Sequence, residues 1–492
     1  MSTFAQRCGV HDAARETAAE QALARIAELG LHTVRVAWCD VHGLMRAKAL
    51  TPAALRRALH EGVGMVSTLM LKDTSDRTAF KVFEPGGTQA LAGFGQANNL
   101  VLLPDPASFQ VLPWLPGTGW MRADPFLADG SPVQWDARRV LQRSLARLAQ
   151  VCYGMRCGLE VEFHVYRLAS TAAEDDPLRA PWPGEAPQVT LLHPGWSLLN
   201  EAWLDRAEPA LALVRETAQA LGLPLQSLEA EMGPSQVEAV FDATDVLQAA
   251  DQMALFRSAV RMALRRAGYH ATFMCRPPFA NVMSSGWHLH QSLTHLSTGA
   301  NAFVREASAP GSDAWDAGHV LSETGEHYLA GLLAHAPGMA ALCTPTANGY
   351  ARFRPNALAP QSVLWGRDNR GAMLRVVGQP GDAGTRIENR LGEPAASPYL
   401  YMASQIEAGL DGLRRGLRAP RATEDPYHPG AERIPASLPA ALDALAADPV
   451  LREGLGEAFL TWYLQIKRQE AQRFEQAEDR EDFARREYFS RL

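Results

Sequence analysis

Apolar and polar residues alternate with two different periods along this chain, and the changes of period outline its elements. Residues 13–29 carry apolar positions at helical spacing, and Gly30 follows as a stop. HTVRVAWCDVHGLMRAKAL, residues 32–50, alternates instead, which predicts two short strands turning at Asp40–Gly43. Helical spacing returns over 136–150 and 244–267, where Val246, Met253, Phe256, Val260 and Leu264 share a face. Between these helices RCGLEVEFHVYRL reads as a strand. Leu159, Val161 and Phe163 lie on one side of it, and Glu160 and Glu162 on the other.

Proline-rich punctuation at 104–117 predicts a boundary between a small N-terminal domain and a larger one. The expected division is an extension over 1–20, a small β-rich domain over 21–118 and a catalytic domain over 119–492. Residues 169–190 and 297–318, rich in Ala, Pro, Gly, Ser and Asp, are expected as surface loops, and the chain from about 437 onward as charged helices. The fold class is α+β.

Composition narrows the function classes. A net charge of −7 argues against nucleic-acid binding, so any cluster of arginines is a local site. No stretch approaches the roughly 20 apolar residues of a membrane span, and no secretory signal opens the chain. The six scattered cysteines fit reduced thiols of a cytoplasmic protein.

Carboxylates recur at strand spacing. Glu160 and Glu162 face one side of their strand. LEAEMGPSQVEAVF adds Glu229, Glu231 and Glu238, SSGWHLHQSL places His288 and His290 two apart, and TRIENRLGEP sets Glu388 between Arg386 and Arg390. Each has a bland reading as a surface acid, a core histidine or an ordinary ion pair. Together they form an oxygen-rich donor set with little nitrogen, which fits hard divalent ions such as Mg²⁺ or Mn²⁺. RFRPNALAPQSVLWGRDNRGAMLR, 352–375, adds five arginines around one acid, Asp368. Two such ions beside guanidinium groups suit phosphoryl transfer from ATP to a carboxylate.

These motifs, in this order, resemble the glutamine synthetase family. They are D-x-x-G at Asp40–Gly43, G-x-E-x-E-F at Gly158–Phe163, the Glu231–Glu238 run, S-G-x-H-x-H-x-S at Ser285–Ser292, and R-x-E-x-R at Arg386–Arg390. The resemblance implies a small N-terminal β-grasp domain before a catalytic domain with an antiparallel sheet and surrounding helices. It implies one divalent ion on Glu162, Glu231 and Glu238 and another on Glu160, His288 and Glu388. ATP would meet His290, Ser292, Arg375 and Arg386. Glutamate would meet Arg352 and Arg390 with help from Gly286 and Glu162, and Arg370 would stabilise the transferring phosphoryl group. Asp40 would enter the amine pocket of a neighbouring subunit in a homo-oligomer, most commonly a dodecamer.

One position departs from the ammonia-using members. They carry a Glu six residues after the glutamate-binding Arg, where it binds ammonium and takes its proton; here that position is Leu358. A leucine does neither, so the expected second substrate is an organic amine: an aromatic or alkyl monoamine, with a polyamine close behind. The expected reaction joins that amine to the γ-carboxylate of glutamate through a γ-glutamyl phosphate. The alternatives are an ammonia-dependent glutamine synthetase and an inactive structural or regulatory relative. Met283–Ser284, where the family usually has Asn-Gly, leaves another acid substrate possible.

Overall fold

The computed structural model describes residues 2–170, 181–354 and 358–492. Its first sheet has six strands: β1 (Thr33–Cys39), β2 (Met45–Leu50), β3 (Val63–Val66), β4 (Asn99–Pro104), β5 (Gln110–Val111) and β6 (Thr118–Phe126). Their order is β2-β1-β6-β4-β3, with β5 beside β6. β1 and β2 pair antiparallel around the expected turn, while β1 and β6 run parallel.

That parallel pair carries the first sheet past the expected boundary at 118. The break at 118 falls on the first residue of β6, which is a full member of the first sheet. The proline-rich stretch holds β5 and the turn into β6. Proline marks a turn as readily as a linker, and the pairing of β6 with β1 leaves no local trace in the sequence. The helix Ala13–Glu28 likewise runs across the expected boundary at 20. Asp12 caps that helix by accepting the Arg15 amide at 2.8 Å, and Gly30, at φ 59°, leaves it in the left-handed region.

The second sheet has nine strands: β7 (Tyr153–Ser170), β8 (Gln188–Leu191), β9 (Leu225–Ala230), β10 (Gln236–Asp245), β11 (Tyr269–Thr272), β12 (Trp287–His295), β13 (Trp365–Arg367), β14 (Leu374–Val377) and β15 (Arg386–Gly392). Its path is β13-β14-β15-β12-β7-β10-β9, with β8 and β11 also on β7, and it is antiparallel apart from β13–β14. Strand therefore occupies both described ends of the expected 169–190 loop, whose centre lies outside the described residues. The 297–318 segment is largely irregular, as expected, but it buries Phe303 completely.

β7 shows why the sheet holds its place. Leu159, Val161 and Phe163 are buried on one face. Phe163 stacks on Phe273 at 4.9 Å and meets Phe256 edge-on at 6.1 Å. Phe256 belongs to the helix Val246–Arg266, the periodic segment expected from the sequence. Each fully buried ring contributes on the order of 2 to 3 kcal/mol, so this face is fixed and Glu160 and Glu162 must point the other way. The helix Pro398–Arg415 backs β12 and β15, with the Tyr401 hydroxyl donating to the Asn389 carbonyl at 3.1 Å. Asp136 joins the two sheets' units: it caps the helix Ala137–Gln150 and accepts the Trp38 indole N–H at 2.7 Å. The chain after 437 is helical, as its periodicity predicts.

Candidate active site

The site is a set of cross-strand neighbours. Glu162 lies opposite Glu238, Glu160 opposite His288, His290 opposite Glu388, and Glu388 opposite Arg375. A two-residue side-chain period on five adjacent strands therefore gathers residues from 160 to 388 on one face. Glu231 joins them from the turn between β9 and β10. Glu162 is held in place by the Gly286 amide at 2.6 Å and by Gln236 Nε2 at 3.3 Å.

Three groups have donor atoms close enough to share an ion: Glu162–Glu231–Glu238, Glu160–Glu238–His288 and Glu160–His290–Glu388. The first is the expected set. For the second ion, hydrogen bonding separates the two histidines. Arg386 Nε donates to His290 Nδ1 at 2.9 Å, and His290 Nε2 lies 3.0 Å from Glu160 Oε1. His288 Nδ1 instead lies 3.4 Å from Glu160 Oε2 and 3.7 Å from Glu388 Oε1. Those spacings are long for hydrogen bonds but natural for atoms that share a cation. Glu160 and Glu388 group with His290, and His288 groups with Glu160 and Glu238; the expected trio Glu160, His288 and Glu388 is not one of the three groups.

The electrostatics agree. Burial, reinforced by neighbouring carboxylates, holds Glu162 and Glu238 well above the usual carboxylate range. Burial also raises Glu231. Burial would raise Glu160 too, but the two histidines outweigh it and keep Glu160 ionised. His288 is pushed down to about 4 by burial and by Arg390, and the neutral imidazole is the ligating form. Buried like charges with no cation among them are costly, and divalent ions remove that cost.

The arginines separate into two kinds. Arg386 and His290, with Ser292, line a cavity of about 700 Å³ that opens beside Glu160, large enough for a nucleotide. Arg375, also expected at ATP, is locked between Glu388 and Asp368 and does not line that cavity. Arg390 pairs with Glu388. Arg352 is buried against Gly286, where any side chain would collide with its guanidinium, and it donates to the Arg390 carbonyl at 3.0 Å. Gly286 spends its amide and its carbonyl on Glu162. Arg370 is exposed, with no ion pair or hydrogen bond among the described residues.

Asp40 is buried within its own chain. One oxygen accepts the turn amides of His42 and Leu44, each at 3.0 Å, and the other accepts Arg46 Nε at 2.9 Å. None of these contacts involves the carboxylate cluster. Leu358 is 63% exposed and has φ 52°, a left-handed backbone that a leucine rarely adopts. Residues 355–357 lie outside the described residues.

Sequence reasoning missed the rim beside Glu231. The Trp196 amide donates to the Met232 carbonyl at 2.7 Å, and the Leu199 amide to Ala230 at 3.0 Å. This lays a turn against both flanks of Glu231. Trp196, Leu198 and Leu199 are each at least half exposed there, and Trp196 and Leu199 have positive φ. The only signal was an apolar run, GWSLL, inside a proline- and glycine-marked loop.

Residues 134–486 match the family described as glutamine synthetase, catalytic domain. The chain is 38% identical to a γ-glutamylanilide synthase from Acinetobacter sp., over 96% of both sequences. The chain belongs to the glutamine synthetase family. It is also 33% identical to a glutamine synthetase from Thermus thermophilus, over 76% of this chain and 82% of that one. Its fold matches a solved GmaS–ADP complex with a TM-score of 0.74 and 28% identity, over 94% of this chain and 98% of that one. As a glutamine synthetase family ligase, the chain gathers five of the six expected positions on one sheet face and Glu231 in the adjoining turn, beside a cavity that suits the nucleotide the family binds. No helix among the described residues is long and apolar enough to cross a membrane.

Proposed function

We propose that this chain joins the γ-carboxylate of glutamate to an organic amine at the expense of ATP, and that the amine is an aromatic monoamine. The observation that carries the choice of amine is exposed apolar surface in two stretches. Leu358 stands exposed on a strained backbone, and Trp196, Leu198 and Leu199 flank Glu231. The resemblance to a γ-glutamylanilide synthase supports the same reading.

The residues divide the work. His290 and Arg386 hold the phosphates of ATP in the nucleotide cavity, with Ser292 beside them. Arg390 and Arg352 attract the α-carboxylate of glutamate, and Arg370, unpaired and exposed, is available to the transferring phosphoryl group. Two divalent ions, on Glu162, Glu231 and Glu238 and on Glu160, His288 and Glu388, would neutralise phosphate oxygens when bound. A γ-carboxylate oxygen attacks the γ-phosphorus and ADP leaves, giving γ-glutamyl phosphate. The amine nitrogen then attacks the acyl carbon, the C–O bond to phosphate breaks, and the nitrogen loses a proton.

An arylamine is already neutral near pH 7, so it needs no carboxylate to strip a proton before attack. Leu358 is compatible with such a substrate and poorly compatible with ammonium. Asp40, buried with both oxygens engaged by its own turn and Arg46, is not assigned the proton released after attack. The test is phosphate release with Mg²⁺-ATP and glutamate, offering aniline, ethylamine, putrescine and ammonia in turn. The expected result is the highest kcat/KM with aniline. A preference for ammonia would overturn the choice of amine, and no release with any of them would overturn glutamate as the acid.

A further inference from the structure

Away from the carboxylates, a cavity of about 650 Å³ lies between the β1–β2 hairpin, the helix Val246–Arg266 and the C-terminal residues. Seven arginines line it, and among the described residues no Asp or Glu side chain does. Guanidinium groups taken out of water are ordinarily matched by carboxylates, and these are not all matched alike.

Several are satisfied by groups behind the cavity wall. Arg46 reaches Asp40 and Asp76, and Arg491 reaches Asp76 at 3.0 Å. Arg257 donates to the carbonyls of Gly43, Pro394 and Ala396. Arg35 and Arg261, both part-buried, are not matched in this way. Arg35 meets Met262 Sδ at 3.4 Å, and Arg261 meets the Ser490 carbonyl at 3.3 Å; neither has an ion pair among the described residues. Burial, then Arg257 and Arg491, push Arg261 down to about 10, so it stays charged at neutral pH without compensation. Leu492 lines the same cavity, and its backbone oxygen accepts the Phe273 amide at 3.1 Å.

We propose that this cavity binds a small organic polyanion, a di- or tricarboxylate or a phosphorylated metabolite, with Arg35 and Arg261 as its main charge partners. Its volume lies within the range of small-molecule sites. Trp114, Tyr269 and Phe273 supply apolar wall for a carbon skeleton. The site is separate from the reaction centre, since none of the six candidate metal ligands lines it. It is still connected to it. Arg257 ties the turn that carries Asp40 to the segment leaving β15, the strand of Glu388 and Arg390.

The experiment is calorimetric titration of the full-length, metal-free protein at low ionic strength with two probes, tricarballylate and inorganic phosphate. The wild type is compared with an Arg35→Gln/Arg261→Gln double variant and with Arg386→Gln, which alters the nucleotide cavity. At least one probe is expected to bind the wild type and the Arg386→Gln protein alike, and to bind the double variant at least tenfold more weakly. The preferred probe separates a carboxylate ligand from a phosphorylated one. Should the double variant fail to fold, Arg266→Glu, a change at an exposed lining residue, is expected to weaken binding at least threefold. Binding of neither probe, binding indifferent to the cavity substitutions, or binding lost in Arg386→Gln would overturn the proposal.

Discussion

The carboxylate face and the segment 352–370 are both dense in charge, yet they are built by opposite means. On the face, every charged group projects from a strand or from a turn pinned to one. Its position is set by register, and the opposite side of β7 is locked by Phe163, Phe256 and Phe273. In the segment, Arg354, Leu358, Arg367 and Arg370 are exposed, and Leu358 and Asp368 sit at positive φ. Under the proposed function the sheet face carries the metal and nucleotide contacts, and the segment contributes Arg352, Arg370 and Leu358 toward glutamate, the phosphoryl group and the amine. Loop geometry is free to change the amine without disturbing the face.

The largest expected effect comes from breaking the face. Glu238→Gln removes one carboxylate from both the Glu162 and the His288 groupings. Loss of several kcal/mol of charge stabilisation in the transition state corresponds to a fall in kcat on the order of 10³-fold. The metal-free protein should respond in the opposite direction. Burial and its neighbours raise Glu238 above its unfolded value, so its contribution to stability is full below that value and is lost as pH rises. At neutral pH the Gln variant is therefore expected to melt higher than the wild type without metal, and to gain less when Mg²⁺ is added. Thermal scans with and without Mg²⁺ check both signs. A variant that melts lower without metal would show that the cluster is not a repulsive one.

Changing the loop should redirect activity without abolishing it. Leu358→Glu restores an acid where ammonia-using relatives have one. Aniline kcat/KM is expected to fall by about 10- to 100-fold, a difference of 1 to 3 kcal/mol, while ammonia kcat/KM rises. The KM for ATP should stay within about twofold, because the nucleotide cavity is built by the sheet. A shift in that KM as large as the shift in amine preference would dissolve the distinction between face and loop.

The same contrast explains what could be read from the sequence. Glu160 with Glu162 and His288 with His290 were legible because a strand repeats every two residues, and the structure puts each pair on one face. The difference in surroundings between the two histidines was not derivable from spacing. It depends on Arg386 reaching His290 Nδ1 across β12 and β15. β6 was lost to a domain boundary because its partner, β1, lies some eighty residues away. Trp196 and Leu199 were passed over because a positive-φ turn in a proline- and glycine-marked loop has no period. Trp196→Ala now tests that rim: aniline kcat/KM should drop about tenfold, as loss of a ring contact worth roughly 1 kcal/mol or more predicts, and ethylamine kcat/KM much less. An equal loss for both amines would assign Trp196 to holding Glu231 in place.

The smallest expected effect lies in the helices, where neither side of the comparison should respond. His335 stands between the helices Glu323–Ala334 and Ala336–Cys343, with Nδ1 2.7 Å from Asp448 and Nε2 2.9 Å from Asp411. Burial alone would lower its pKa, but the two carboxylates outweigh it and raise the value above that of a free histidine. The stabilisation is therefore complete below the unfolded pKa of about 6.5 and is lost as pH climbs through the raised folded value. Because Asp448 also caps the helix Pro449–Leu455, and Arg415 also pairs with Asp411, each carboxylate keeps a partner when the imidazole loses its charge. The loss should then be modest, on the order of a degree or two in Tm. Wild-type Tm is expected to fall slightly more between pH 6 and pH 8 than the Tm of His335→Gln, with the amine preference of the two proteins unchanged. If His335→Gln altered that preference, the helical layer would be part of the selective apparatus, and the contrast between a fixed sheet and an adjustable loop would have to include what lies behind the sheet.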